Sequence, residues 1–208
     1  PGHPFSAVDD GDRPRGAIWA VCAADGERNG FNDIFLGPSS GGALLLKSGD
    51  SGQSYSSVEL PDRDIFVQGT IFAAFDNDGN IALFACDDND DNHPYKNDGA
   101  GGFSLQRGLI GASLPSSVSS GNYAVIETDY DNDGHRDIYL SKCRLGVTSS
   151  TDRRRINRLF RNDGFNSYTD EGPAVGLADG EQSWCSDFAD IDNDGDMDCF
   201  ILNHGAGT

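Results

Sequence analysis

The sequence predicts an all-β protein, a β-propeller built of four-stranded blades and incomplete within its 208 residues. Three observations carry that expectation. A nine-residue acidic pattern recurs four times, as DGERNGFND from Asp25, AFDNDGNIA from Ala74, DYDNDGHRD from Asp129 and DIDNDGDMD from Asp190. Aligned on Gly30, Gly79, Gly134 and Gly195, the copies lie 49, 55 and 61 residues apart, the period of a supersecondary unit. Each copy has the same kinds of neighbours, and no segment holds apolar residues at helical spacing for three turns.

The first element of each unit is an apolar, β-favouring segment: AIWAVCA, GTIFAA, YAVIET and SWCSDFA. The acidic stretch follows, and after it a second such segment: DIFLG, ALFAC, DIYLS and DCFILN. Two short strands joined by a tight polar connection make a hairpin. A third segment carries its own glycine turn, in ALLLKSGDSG, YKNDGAGG and LFRNDGFN, and a fourth, YSSVEL, FSLQ or YTDE, completes the unit. Four strands in such a length form a propeller blade, a small twisted sheet that buries its faces only against a neighbouring blade.

The ends divide the chain further. FSAV at Phe5 to Val8 reads as the fourth strand of a blade, and the sequence stops at ILNHGAGT, where a third strand is due. The expected organisation is a single propeller region, with a partial blade at 1–16, blades at about 17–62, 63–115 and 116–176, and a partial blade at 177–208. Pairing the two partial units would close a four-bladed ring, but the absent third strand argues for further blades outside this chain. The opening PGHPF, with neither an initiator Met nor a signal peptide, fits a processed product or a piece of something longer.

Composition narrows the function. Asp and Glu number 34 against 15 Lys and Arg, a formal charge of -19, which disfavours nucleic acid and anionic lipid and favours cationic partners, metal ions above all. Twelve Phe, six Tyr and two Trp spread along the chain argue against disorder. The longest apolar run, Ala17 to Ala24, falls far short of the roughly 18 residues of a membrane span, so no direct membrane insertion is expected. The five cysteines, Cys22, Cys86, Cys143, Cys185 and Cys199, show no CxxC and no Cys/His zinc spacing. Their odd number leaves one thiol over in an oxidising compartment, and it leaves open both whether disulfides form and how they connect.

The acidic pattern has the form of a metal loop. D-x-D-x-D-G-x-x-D sets oxygen ligands at positions one, three, five and nine, with a backbone carbonyl available at seven and a glycine at six for the sharp turn. Two unit charges about 5 Å apart repel by about 3 kcal/mol at an effective dielectric of about 20, so such a cluster calls for a cation. Carboxylate and carbonyl oxygens select Ca2+ over Zn2+ or Cu2+, and Mg2+ prefers to keep its waters.

Loop three offers Asp129, Asp131, Asp133, the His135 carbonyl and Asp137; loop four offers Asp190, Asp192, Asp194, Asp196 and Asp198. Loop one substitutes Asp25, Glu27, Asn29, the Phe31 carbonyl and Asp33. Loop two has Ala74 and Ala82 at its two ends and retains Asp76, Asp78 and Asn80. Three good calcium sites and a weak or empty fourth are therefore expected. Fourteen of the 34 acidic residues lie in these loops, so much of the net charge is candidate ligand. An EF-hand is excluded because position twelve, where it needs an acidic ligand, is Leu36, Leu140 or Ile201 in an expected strand.

DYDNDGHRDIYL and DIDNDGDMDCFILN resemble the FG-GAP/VCBS repeats of integrin α-subunit propellers and of many secreted proteins. The continuation LFRNDGFNSYTDEGPAVGL is similar to the cartilage acidic protein/ASPIC-like branch of that family. The resemblance covers almost the whole chain, is specific in the third and fourth copies, and departs from the family pattern in the first two. It implies calcium in the hairpin loop between the first two strands of a blade. It also implies an extracellular setting in which calcium stiffens the propeller and the surface binds proteins or glycans.

Other candidate chemistry is thin. GDSG at Gly49 to Gly52 resembles the nucleophile segment of trypsin-like proteases but occupies the turn equivalent to KNDG and RNDG. The histidines His3, His93, His135 and His204 fall near a terminus or in expected loops, and no Walker loop, HExxH or dinucleotide fingerprint is present. Asp87 to Asp91 reads as a solvated loop or an additional ion site. Arg153 to Arg155, the only basic cluster, reads as a solvated loop or as a contact for an anionic glycan or a neighbouring acidic loop. Trp19 and Trp184 are expected in the core, and Tyr55, Phe103 and Tyr168 in blade packing.

The expected function is a secreted, calcium-stabilised module for structure, adhesion or interaction, with no catalysis of its own. Its partners would be an extracellular protein, a glycan or neighbouring copies of itself. The alternatives are the propeller of a calcium-dependent, lyase-like enzyme acting on polysaccharide, or a glycan-binding lectin.

Overall fold

A computed structural model describes residues 16–61, 64–111, 119–165 and 167–205. The expected strand at Phe5 to Val8 lies outside the described residues. Among the described residues fourteen strands form three four-stranded antiparallel sheets and one two-stranded sheet, each a simple meander in chain order. The first sheet holds β1 (Ile18–Ala24), β2 (Asp33–Pro38), β3 (Leu44–Gly49) and β4 (Ser54–Glu59). The second holds β5 (Val67–Ala73), β6 (Ala82–Asp87), β7 (His93–Asn97) and β8 (Phe103–Leu105). The third holds β9 (Asn122–Thr128), β10 (Asp137–Lys142), β11 (Arg158–Asn162) and β12 (Tyr168–Asp170), and the fourth β13 (Ser183–Ala189) and β14 (Asp198–Asn203). No α-helix occurs among the described residues, and Asp50–Gly52 form a single 3-10 turn.

The sheets stand in a row through their first strands, β1 beside β5, β5 beside β9 and β9 beside β13. This is the arrangement of successive blades in a partial propeller, with no sheet closed on itself. Between the first two sheets Ala20, Phe35 and Leu45 meet Val67, Leu83, Ala85 and Tyr95. Between the second and third, Phe75 and Phe84 meet Val125, Ile138, Leu140 and Phe160. Tyr139 continues the series by packing edge-on against Phe188 of the fourth sheet, with centroids 5.4 Å apart. Burial of each Val, Leu, Ile or Phe side chain among these contributes about 1.5–3 kcal/mol. β6 and β10 are buried at every position because a sheet covers each of their faces, whereas in β14 Phe200 and Leu202 stand exposed. A continuous apolar strand such as ALFACD therefore marks the interior of the row.

Two expectations need correction. Trp19 and Trp184 are not core residues: they are 55% and 41% exposed. The cause is a β-bulge near the outset of each first strand. Pairing skips Trp19 between Ile18 and Ala20, Tyr123 between Asn122 and Ala124, and Trp184 between Ser183 and Cys185, and the second sheet shifts register between Val67 and Thr70. A bulged residue leaves the alternation of the pleat, so its side chain is re-aimed. Trp19 meets Phe66 edge-on, and Trp184 stacks between Tyr123 and His204. The second correction is His93, expected in a loop but found in β7, 2% exposed, with Nε2 3.3 Å from the buried Asp87 carboxylate.

Candidate metal sites

All four acidic stretches fold into one backbone shape. The residue at position four lies in the left-handed region, at φ 55° for Arg28, 56° for Asn77, 57° for Asn132 and 61° for Asn193. The glycine at position six follows at φ 81–97°, a conformation that glycine adopts without steric cost. Asn tolerates the left-handed region better than most side chains, which accounts for its presence at position four in three loops.

Side chains then cap the turn. The carboxylate at position one accepts the amide of position six in loops one, three and four, at 2.7 Å from Gly30, 3.1 Å from Gly134 and 3.1 Å from Gly195. The side chain at position five accepts the amide of position seven in every loop: Phe31 N to Asn29, Asn80 N to Asp78, His135 N to Asp133 and Asp196 N to Asp194, at 2.8–3.1 Å. These are Asx turns, so Asp and Asn here shape the loop before any ligand is considered.

Loop three gathers Asp129, Asp131 and Asp137, with one carboxylate oxygen of each within 4.8 Å of the others. Asp137 begins β10, is wholly buried, and accepts the amides of Asn162 at 2.8 Å and Tyr130 at 3.1 Å. Burial pushes its carboxyl up to about 6 against those bonds, and the charges of Asp131 and Asp133 add to the rise. Asp129 Oδ1 is shut from solvent without a hydrogen bond. Loop four gathers Asp190, Asp192 and Asp194 in the same way. Asp198 accepts the Ile191 amide at 2.9 Å, and Asp196 is pushed up by the neighbouring Asp194 carboxylate.

In loop one, Asp33 is wholly buried; Oδ1 accepts the Ser48 amide at 2.8 Å, while Oδ2 has no hydrogen bond. Burial raises its carboxyl too. The Phe31 carbonyl accepts Ser48 Oγ at 3.3 Å, and Glu27 pairs with Lys47 while accepting Asn29 Nδ2 at 3.1 Å. Loop two keeps only Asp76 and Asp78 as carboxylates, with Ala74 and Ala82 at its ends. A buried carboxylate oxygen without a donor is costly unless a cation or proton meets it. On that ground the orphaned oxygens of Asp33 in loop one and Asp129 in loop three fit a hard divalent cation, and loop four presents the same oxygen-only donor set on exposed carboxylates.

One component of these sites was not singled out from the sequence. A basic residue on the third strand of each complete sheet pairs with its own acidic loop: Lys47 with Glu27, Lys96 with Asp76 and Asp78, Arg161 with Asp131 at 2.5 Å and Asp133 at 2.7 Å. Aligning KSGD, KNDG and RNDG would have found the column, since each basic residue precedes the same turn.

The loops also touch one another. Asn97 Nδ2 donates to the Gly26 carbonyl of loop one at 2.8 Å and to the Ile81 carbonyl of loop two at 3.0 Å. Arg28 donates to the Gly79 carbonyl, and Asn132 Nδ2 to that of Gly195 at 2.9 Å. Asn162 Nδ2 joins loops two and three by donating to the Phe75 and Arg136 carbonyls, so consecutive loops form one hydrogen-bonded rim.

Residues 129–201, from the first ligand position of loop three into β14, match the family model described as FG-GAP-like repeat. The span carries FG-GAP-like repeats. A search of curated proteins gave no match. The match takes in both FG-GAP-like loops whose aspartates are gathered, and the relaxed loops one and two precede it. It does not distinguish the ASPIC-like branch.

The remaining candidates resolve into structure. In the Asp87 to Asp91 run, Asp87 faces His93, Asp88 pairs with Arg144 at 3.1 Å, and the Asp90 carbonyl accepts Asn122 Nδ2. Arg155 is buried, donating to the Val147 and Thr148 carbonyls, and Arg154 pairs with Asp152 at 2.6 Å, so the basic cluster is largely engaged within the chain. All five cysteines are free. No helix among the described residues is long and apolar enough to cross a membrane.

Proposed function

We propose that the protein is a calcium-stabilised propeller module working outside the cell, in which calcium bound by loops one, three and four holds the blade hairpins while the surface engages an extracellular protein or glycan. The observation that carries this reading is the repeated convergence of position-one and position-three carboxylates in loops three and four. The residues holding the ion would be Asp129, Asp131, Asp133, Asp137 and the His135 carbonyl in loop three, and Asp190, Asp192, Asp194, Asp198 and the Asp196 carbonyl in loop four. In loop one they would be Asp25, Glu27, Asn29, Asp33 and the Phe31 carbonyl. The ion supplies charge neutralisation and takes no part in bond chemistry.

Calorimetric melting in calcium and in EGTA tests the reading. A site at about 100 times its Kd in free calcium adds about 2.7 kcal/mol. For a chain of this size that corresponds to roughly 5–10 °C in Tm. Asp192→Ala and Asp131→Ala are each expected to reduce the calcium-dependent rise; identical melting with and without chelator overturns the proposal. A glycan array and a screen against extracellular proteins, both in calcium, then separate the two partner classes.

A further inference from the structure

We propose that Lys96 is the resident cation of loop two, and that this loop keeps its shape without taking calcium. The inference rests on the calcium reading of the other loops and assigns loop two a different solution to the same electrostatic problem.

Loop two has the backbone of its neighbours, with Asn77 at φ 56° and Gly79 at φ 81°, although both its end ligands are alanine. Its remaining aspartates still need a counter-charge. Asp76 is 2% exposed, and neither of its carboxylate oxygens makes a hydrogen bond. The ammonium group supplies that charge: Lys96 Nζ lies 3.1 Å from Asp78 Oδ2 and 3.6 Å from Asp76 Oδ2.

Strand register brings it there. Leu83 pairs with Tyr95, so Lys96 follows directly opposite Ala82, the position that carries Asp33 or Asp137 in the loops on either side. Ala82 is wholly buried in the apolar cluster with Phe75, Phe84 and Ile138, so position nine serves packing here instead of ligation.

Charge separates loop two from the loop that resembles it most. In loop three Arg161 also reaches two carboxylates, but Asp129 and Asp137 remain in excess, and a cation has a reason to enter. In loop two a calcium ion would have to expel the ammonium and would find only two carboxylates, Asp76 and Asp78, to bind it.

The test combines calcium stoichiometry by equilibrium dialysis with melting in EGTA. Asp192→Asn is expected to lower bound calcium by one equivalent and Asp76→Asn to leave it unchanged. In EGTA, Lys96→Met is expected to lower Tm by roughly 3 °C or more, and Lys96→Arg to retain most of the wild-type value. Loss of a calcium equivalent with Asp76→Asn overturns the proposal, as does an EGTA melting temperature that Lys96→Met leaves unchanged. If the wild type binds no calcium at all, the reading of the other loops fails, while the EGTA comparison still decides the role of Lys96.

Discussion

Asn162 is wholly buried, and both ends of its amide are used. Nδ2 donates to the Phe75 carbonyl of loop two at 3.3 Å and to the Arg136 carbonyl of loop three at 3.1 Å, while Oδ1 accepts the Gly164 amide at 3.0 Å. Asn162→Ala removes the side-chain donor to the Arg136 carbonyl and the acceptor of the Gly164 amide, while the Phe75 carbonyl keeps the Tyr168 hydroxyl; an unsatisfied buried group costs about 1–3 kcal/mol. The expected loss is about 1–3 kcal/mol, read by urea unfolding in EGTA. Lys142 makes a prediction of a different kind. It is wholly enclosed, donates to Asn122 Oδ1 at 2.6 Å, and burial pushes its ammonium down to about 7. The unfolded chain therefore holds a proton that the folded one releases between about pH 7 and 10.5. Stability from this group is present above the unfolded value, falls as pH drops towards 7, and is flat below. Lys142→Met is expected to remove that slope, measured by denaturant unfolding at pH 7, 8 and 9. At this scale the sequence exposed the loop aspartates because their spacing is fixed by a local turn. Lys96 and Arg161 stayed hidden because their role depends on strand pairing across a sheet.

Among the elements, the first strands carry the most constraint. A Cβ at Gly69 in β5 would stand 2.7 Å from the Tyr123 carbonyl oxygen and 3.0 Å from Ala124 Cα, both backbone atoms of β9. Gly69→Ala is expected to force the two strands apart and to cost about 1–3 kcal/mol, visible as a lowered urea midpoint. The strands and their order were legible, since each apolar run sits at a constant distance from its acidic loop. Their faces were only partly so. Alternation assigns a residue to one side of a sheet, but a bulge breaks alternation by one residue, and nothing in AIWAVCA or SWCSDFA signals where the bulge falls. Trp19 and Trp184 were misread for that reason.

For the whole molecule, 14 of the 34 acidic residues behind the formal charge of -19 lie in the loops that meet along one rim. Screening acts on such a rim much as a bound cation does, less specifically. Raising NaCl from about 0.02 to about 0.5 M in EGTA is expected to raise Tm, because the Debye length falls from roughly 20 Å to roughly 4 Å. With calcium present the same salt series should produce a smaller rise, and differential scanning fluorimetry distinguishes the two slopes. The meander of each sheet has a further consequence, for synthesis. Every strand pairs with the strand next to it in sequence, and each four-stranded sheet is finished before the next begins. Nascent chain leaving the ribosome can close one of these described sheets at a time and offer its apolar face as the template for the sheet that follows, so none of the three four-stranded sheets waits for a distant segment to complete its own pairing.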